Sequence, residues 1–158
     1  MNWEACCPRP QLQRASFLPL SDGWTLEGRP IRVPWPPQAA LSGYSGRVGD
    51  VLHYETHFTL PEDFLPPKHR LLVHFGAVDQ AAEVWLNGVP AVRHEGGYLP
   101  FSADITSALR KGENRLTVTA TDTLSHKYPY GKQHKRPHGM WYTPVSGIWQ
   151  AVWLEAVP

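Results

Sequence analysis

Hydrophobic and polar residues alternate with a period of two along much of this chain. Tyr54, Thr56, Phe58 and Leu60 fall on one face of a run whose other face carries His53, Glu55, His57 and Thr59. Successive side chains of a strand point to opposite sides, so this pattern predicts a strand with one buried face. Leu71, Val73 and Phe75 repeat it, as do Leu116, Val118 and Ala120 opposite Arg115, Thr117 and Thr119. Ala82, Val84 and Leu86 lead into Asn87-Gly88, and the alternation resumes at Val89. Asn-Gly between two such runs predicts a two-residue hairpin turn, because both turn residues must take positive φ. Residues 148–154 are apolar on both faces, which suits a central strand. Residues 104–109 have room for one helical turn, and no other stretch has helical periodicity.

Turn signals at residues 34–37, 61–67, 96–97 and 111–114 punctuate the runs. Short strands at this spacing indicate an all-β sandwich or barrel. At 158 residues the chain has length for one substantial core. We therefore expect a single domain over residues 15–158, preceded by a loosely ordered leader at residues 1–14. Cys6 and Cys7 are adjacent, too strained for a mutual disulfide and too few for zinc, so they read as free thiols. Fifteen basic residues against 14 acidic ones give a net charge of +1, which supplies no global attraction to nucleic acid or membrane. The first residues have neither a basic start nor an apolar run, and a cytoplasmic location is the expectation.

Several segments, in order, carry a family likeness. The run Leu71-Leu-Val-His-Phe-Gly-Ala-Val-Asp-Gln-Ala-Ala-Glu-Val-Trp-Leu-Asn-Gly88 resembles the signature stretch of the sugar-binding domain in glycoside hydrolase family two. So do His94-Glu-Gly-Gly-Tyr-Leu-Pro-Phe-Ser-Ala-Asp-Ile-Thr106 and Trp141-Tyr-Thr-Pro-Val-Ser-Gly-Ile-Trp-Gln-Ala-Val-Trp-Leu154, with lesser matches at Leu20-Ser-Asp-Gly-Trp24 and Val33-Pro-Trp-Pro-Pro37. The resemblance covers residues 17–157. It implies a jelly-roll β-sandwich, galactose-binding-domain-like, without cofactor or metal. It also implies a parent enzyme cleaving β-galactosides, β-glucuronides or β-mannosides, whose acid/base and nucleophile glutamates come from a later (β/α)8 barrel expected after Pro158. Retaining glycosidases need two carboxyl groups about 5–5.5 Å apart. Asp79, Glu83 and Asp104 stand where acidic residues cap or satisfy backbone groups, and residues 123–154 contain no carboxylate. No catalytic residue is expected here.

The chemistry is concentrated in residues 123–147, which lack alternation and are rich in cations and rings. Long loops in compact domains are usually functional or disordered. Lys132, Gln133, His134, Trp141 and Tyr142 are the candidate ligand-binding or interdomain residues: rings stack on sugar C–H faces, and donors bind hydroxyls or carboxylates. Two roles stay open for them, contact with a β-glycoside and packing against the barrel. Some family members carry an acidic residue shortly before the motif matching Trp141. His138-Gly139-Met140 stands there instead. His53 and His57 share a strand face but lie about 13 Å apart, too far for one ion; His134 and His138 lack a third ligand. Trp24, Trp85, Trp149 and Trp153 read as core or hairpin packing. The alternatives to an accessory domain are a stand-alone carbohydrate-binding module and a polyanion- or RNA-binding module using residues 126–142.

Overall fold

The computed structural model describes residues 14–158. The expected leader therefore lies outside the described residues apart from Arg14, whose guanidinium is 3.5 Å from Glu155. Cys6 and Cys7 lie outside them too.

Twelve strands follow in order among the described residues: β1 (Phe17–Pro19), β2 (Trp24–Leu26), β3 (Arg29–Ile31), β4 (Val51–Thr59), β5 (Arg70–Phe75), β6 (Val78–Asp79), β7 (Ala81–Leu86), β8 (Val89–Glu95), β9 (Phe101–Asp104), β10 (Glu113–Thr121), β11 (Gly147–Ile148) and β12 (Val152–Val157). One sheet runs β3-β2-β4-β10-β7-β8, a second runs β1-β12-β5-β9, and β11-β6 forms a small ribbon. Every named pairing is antiparallel. The expected all-β sandwich is what forms.

Its core is the inner face of both sheets. Leu52, Tyr54 and Phe58 of β4, Val84 and Leu86 of β7, and Leu116 and Val118 of β10 meet Leu71, Val73 and Phe75 of β5 and Leu154 of β12. Each fully buried side chain of this size contributes about 1.5–3 kcal/mol of transfer free energy. The pair β4–β10 matches across its whole length, from Glu113 opposite Thr59 to Thr121 opposite Val51. That full-length pairing forms the middle of the larger sheet.

Asn87 and Gly88 take φ of 54° and 83°, the two positive values the hairpin needs. Asn87 does more than turn the chain. Its Nδ2 donates to Ala108 O and Asn114 Oδ1, both at 2.8 Å, while its Oδ1 accepts from Arg115 N at 2.9 Å. Buried Asn114 in turn donates to Arg110 O and Gly112 O. The helical turn expected at 104–109 is a 3-10 turn at Thr106–Ala108, fixed by Asp104, which accepts from Thr106 N and Oγ1, and a second 3-10 turn lies at Ala40–Ser42.

The strand expected at 148–154 is broken. Ile148 pairs with Val78 and Val152 pairs with Phe75, so three residues on one side face only Gly76 and Ala77 on the other. An extra residue on one side of an antiparallel pair behaves as a bulge and re-aims the side chains in it. Here it carries the chain from the ribbon into the second sheet. Its second half, β12, is central as expected, flanked by β1 and β5.

Candidate functional site

The topology gathers carboxylates at one end of the larger sheet. Asp50 immediately precedes β4, Asp122 immediately follows β10, and Asp79 ends β6 just before β7. The strand ends are tied together: Asp122 N donates to Asp50 O at 2.8 Å and Gln80 N to Thr121 O at 3.4 Å. Gly96 N donates to Gln80 O at 2.9 Å, which draws the segment after β8 across Asp79.

Gly97 is buried against the Asp79 carboxylate and the Gln80 side chain, in space where any Cβ would overlap Asp79. A glycine is needed there for close approach. The indole Nε1 of Trp149 donates to Gly97 O at 2.7 Å, and the Tyr98 ring stands edge-on to Trp149 with centroids 6.0 Å apart. The bulge after Ile148 is what turns Trp149 to this place.

Asp79 is 5% exposed, and among the described residues its carboxylate has no hydrogen-bond partner. Burial, and then the charge of Asp122, pushes its pKa from 3.8 up to about 7. Asp122 is also raised, by burial and by Asp50, against the opposing effect of Leu124 N–H and Lys135. Burial and then the two aspartates raise the Tyr98 phenol as well, while a hydrogen bond from Gln133 pulls it down. Asp79, expected to cap a backbone group, caps none among the described residues. Glu83, expected in the same role, instead pairs with Arg93 at the surface.

The segment 123–147, the flap, enters a regular strand only at Gly147, yet it is stapled along its length. Gln133 and Tyr142 form a bridge in which Tyr142 N donates to Lys132 O at 2.8 Å and His134 N to Tyr142 O at 3.1 Å. Gln133 Nε2 donates to Tyr130 O at 2.9 Å, and its Oε1 accepts from Val145 N at 2.5 Å. Lys135 reaches Asp50 at 2.6 Å. A cleft of about 800 Å³ opens beside Asp122, walled by Arg47, Lys135, Thr143 and Ser146.

Of the five residues singled out in the sequence, Gln133 alone joins the Asp79–Tyr98 cluster. Lys132 and His134 are exposed, and Tyr142 is 65% exposed. Trp141 is half-buried, with its ring 5.8 Å from that of His134. These four form the outer surface of the flap. Among the described residues no group of three His, Cys, Asp or Glu side chains is placed to hold a metal ion. Of the tryptophans assigned to packing, Trp24 is core, with Nε1 donating to Leu20 O. Trp149 belongs to the site, Trp85 stands on the outer face of the larger sheet, and Trp153 stacks on His74 at 5.0 Å.

Residues 48–150, the stretch that holds all three aspartates, match the model described as glycosyl hydrolase 2 galactose-binding domain-like. The chain belongs to that family. A β-glucuronidase of Paenibacillus borealis is 39% identical over 100 residues, 59% of this chain and 16% of that protein. A β-galactosidase of Thermoanaerobacter pseudethanolicus is 33% identical over 105 residues, 65% of this chain and 13% of that protein. The solved β-glucuronidase of an uncultured Clostridium sp. superposes with a TM-score of 0.70 at 25% identity, over 96% of this chain and 31% of its own. The chain thus spans well under a fifth of these curated relatives and about a third of the solved structure.

Proposed function

We propose that this chain is a non-catalytic carbohydrate-binding and structural domain of a hydrolase acting on β-glycosides, with the Asp79 end as the sugar-facing site. The observation that carries this reading is the Asp79 carboxylate itself. It is buried, no hydrogen bond joins it to another of the described residues, and the glycine against it leaves no side chain in the way. A buried polar group costs free energy until something bonds it, and a hydroxyl of a sugar would do so. Tyr98 and Trp149 beside it supply the ring surfaces that such sites use. The hydrolytic carboxylates belong in this reading to a barrel domain of the same enzyme.

Exposed Met140 and Tyr142, 61% and 65% accessible, support a second role for the flap as the surface that packs on that barrel. The first reading is tested by titrating the isotope-labelled chain with methyl β-glucuronide, β-galactoside and β-mannoside. One of them should shift the amide of Gly97 and the indole N–H of Trp149, and Asp79→Leu should remove the effect. No shift with any of the three would refute it. Purified chain should also leave aryl β-glycosides intact, and turnover that survives repurification would contradict the non-catalytic assignment.

A further inference from the structure

The outer face of the larger sheet carries a second feature, away from the Asp79 end. Trp85 lies four residues along β7 from Ala81, about 13 Å up the strand. On an alternating strand its neighbours Val84 and Leu86 face the core, so Trp85 faces out. It is opposite Thr117 of β10, which is opposite Glu55 of β4, which is opposite Thr25 of β2. One row of side chains therefore crosses four strands, a width of about 14 Å at the usual strand spacing.

That row is a trough. Thr25, Thr117 and Thr119 make a low floor of hydroxyls, and Trp85 forms one wall of a cavity of about 500 Å³. Trp85 also borders a smaller cavity of about 310 Å³ over Pro90, Val92 and Arg93. A half-buried indole thus borders two open grooves, with a register shift between Val84 and Trp85 where β7 pairs with β8. A half-buried aromatic ring gains less in such a place than it would in the core.

The charges in the trough are already engaged. Glu55 is bound by both Nε and Nη2 of Arg115 at 2.8 and 2.5 Å. Glu27 accepts from His53 N at 2.9 Å, and the His53 ring meets Thr119 Oγ1 at 3.2 Å. Across β7, Arg93 and Glu83 are paired at 2.5 Å. What is left for a ligand is the hydroxyls of Thr25 and Thr117 and one aromatic wall, with each carboxylate spoken for. That complement fits a polyol with apolar ring faces and no charge, and it disfavours a uronic acid or a nucleic acid.

We propose that this trough is a second carbohydrate site, which takes a neutral oligosaccharide chain lying across β2, β4, β10 and β7 with one sugar ring stacked on Trp85. It goes beyond the Asp79 site and stands or falls separately from it. The test is calorimetric and NMR titration of the 158-residue chain with neutral gluco-, manno-, galacto- and xylo-oligosaccharides, and with an oligogalacturonate as the charged probe. At least one neutral chain should bind and shift Thr25, Thr117 and Thr119. Trp85→Ala should weaken that binding by about tenfold or more, the scale of one lost ring stack. Asp79→Leu should leave it unchanged. Thr117→Arg, which fills the floor and keeps the tryptophan in the chain, guards against misfolding of the tryptophan variant and should weaken binding equally. Binding abolished by Asp79→Leu but indifferent to Trp85→Ala and Thr117→Arg would overturn the proposal, as would tighter binding of the charged probe or none at all. Self-association lost in Trp85→Ala would overturn it too, by making the face a protein contact.

Discussion

Charging Asp79 should cost this fold stability, and Asp79→Asn should relieve it. An unfolded aspartate titrates near 3.8, whereas burial and Asp122 hold Asp79 up to about 7 in the folded chain. The folded state therefore binds the extra proton between those values. Stability linked to Asp79 is fully present below about pH 4 and is lost as pH rises through about 7. The full difference of roughly three pH units corresponds to about 4 kcal/mol at about 1.4 kcal/mol per unit. Relaxation of the surrounding groups around the charged form offsets part of that, which leaves about 2 kcal/mol. Asparagine keeps the shape and removes the charge. At pH 4 the two proteins should melt together. At pH 8 the variant should be the more stable by about 2 kcal/mol, or about 4–8 °C in Tm for a chain of this size. Melts followed by far-ultraviolet circular dichroism at unit steps of pH would read the difference, in which titrating groups that do not sense Asp79 cancel. A Tm gap that stays flat from pH 4 to 8 would refute the reasoning, and a gap that favours wild type as pH rises would mean that the carboxylate is bonded.

Gly97→Ala should place a methyl group against the Asp79 carboxylate and abolish the glycoside-induced shifts, read by the same titration, while the strands stay folded. Gly147→Ala should destabilise by about 1–3 kcal/mol in urea titration, since it pairs a positive φ of 74° with overlap on the Tyr54 hydroxyl. Asn114→Ala should cost about 2–4 kcal/mol in the same assay by leaving Arg110 N, Asn87 Nδ2 and the partners of its own amide unsatisfied. Gln133→Ala should speed amide exchange at Val145 and across the flap, with little change at β4 or β10.

The strands were legible because one face of each is buried. Period-two alternation placed β4, β5, β7 and β10, and Asn87-Gly88 placed the tightest turn. Two-faced apolarity placed β12 at the sheet centre, but apolarity has no direction, so the bulge at 149–151 left no trace in the pattern. The site was less legible, for a related reason. Asp79 read as a cap because acidic residues at strand ends usually are caps. What distinguishes it is a contact with Gly97, eighteen positions on, which only the folded chain brings about. The signal in hand was the Gly96-Gly97 pair, whose second glycine leaves room for the carboxylate. Lys132, His134, Trp141 and Tyr142 stood out by chemical type, which says nothing of direction, and they line the flap's exterior. Gln133 was found, but its role as a staple of backbone groups was not visible in its identity.

The position of β12 between β1 and β5 bears on how the chain is made. Synthesis proceeds from the N-terminus, so β5 and its partner β9 emerge well before residues 152–157. During that interval β5 presents a bare row of amides and carbonyls, and Leu71, Val73 and Phe75 lack the strand that completes their sheet. An open edge of this kind recruits whatever extended chain is near, including a neighbour on the same messenger. The hazard is one of timing rather than of final stability. Slowing translation between Phe75 and Val152 should raise aggregation of the nascent protein, although the finished sandwich would be identical.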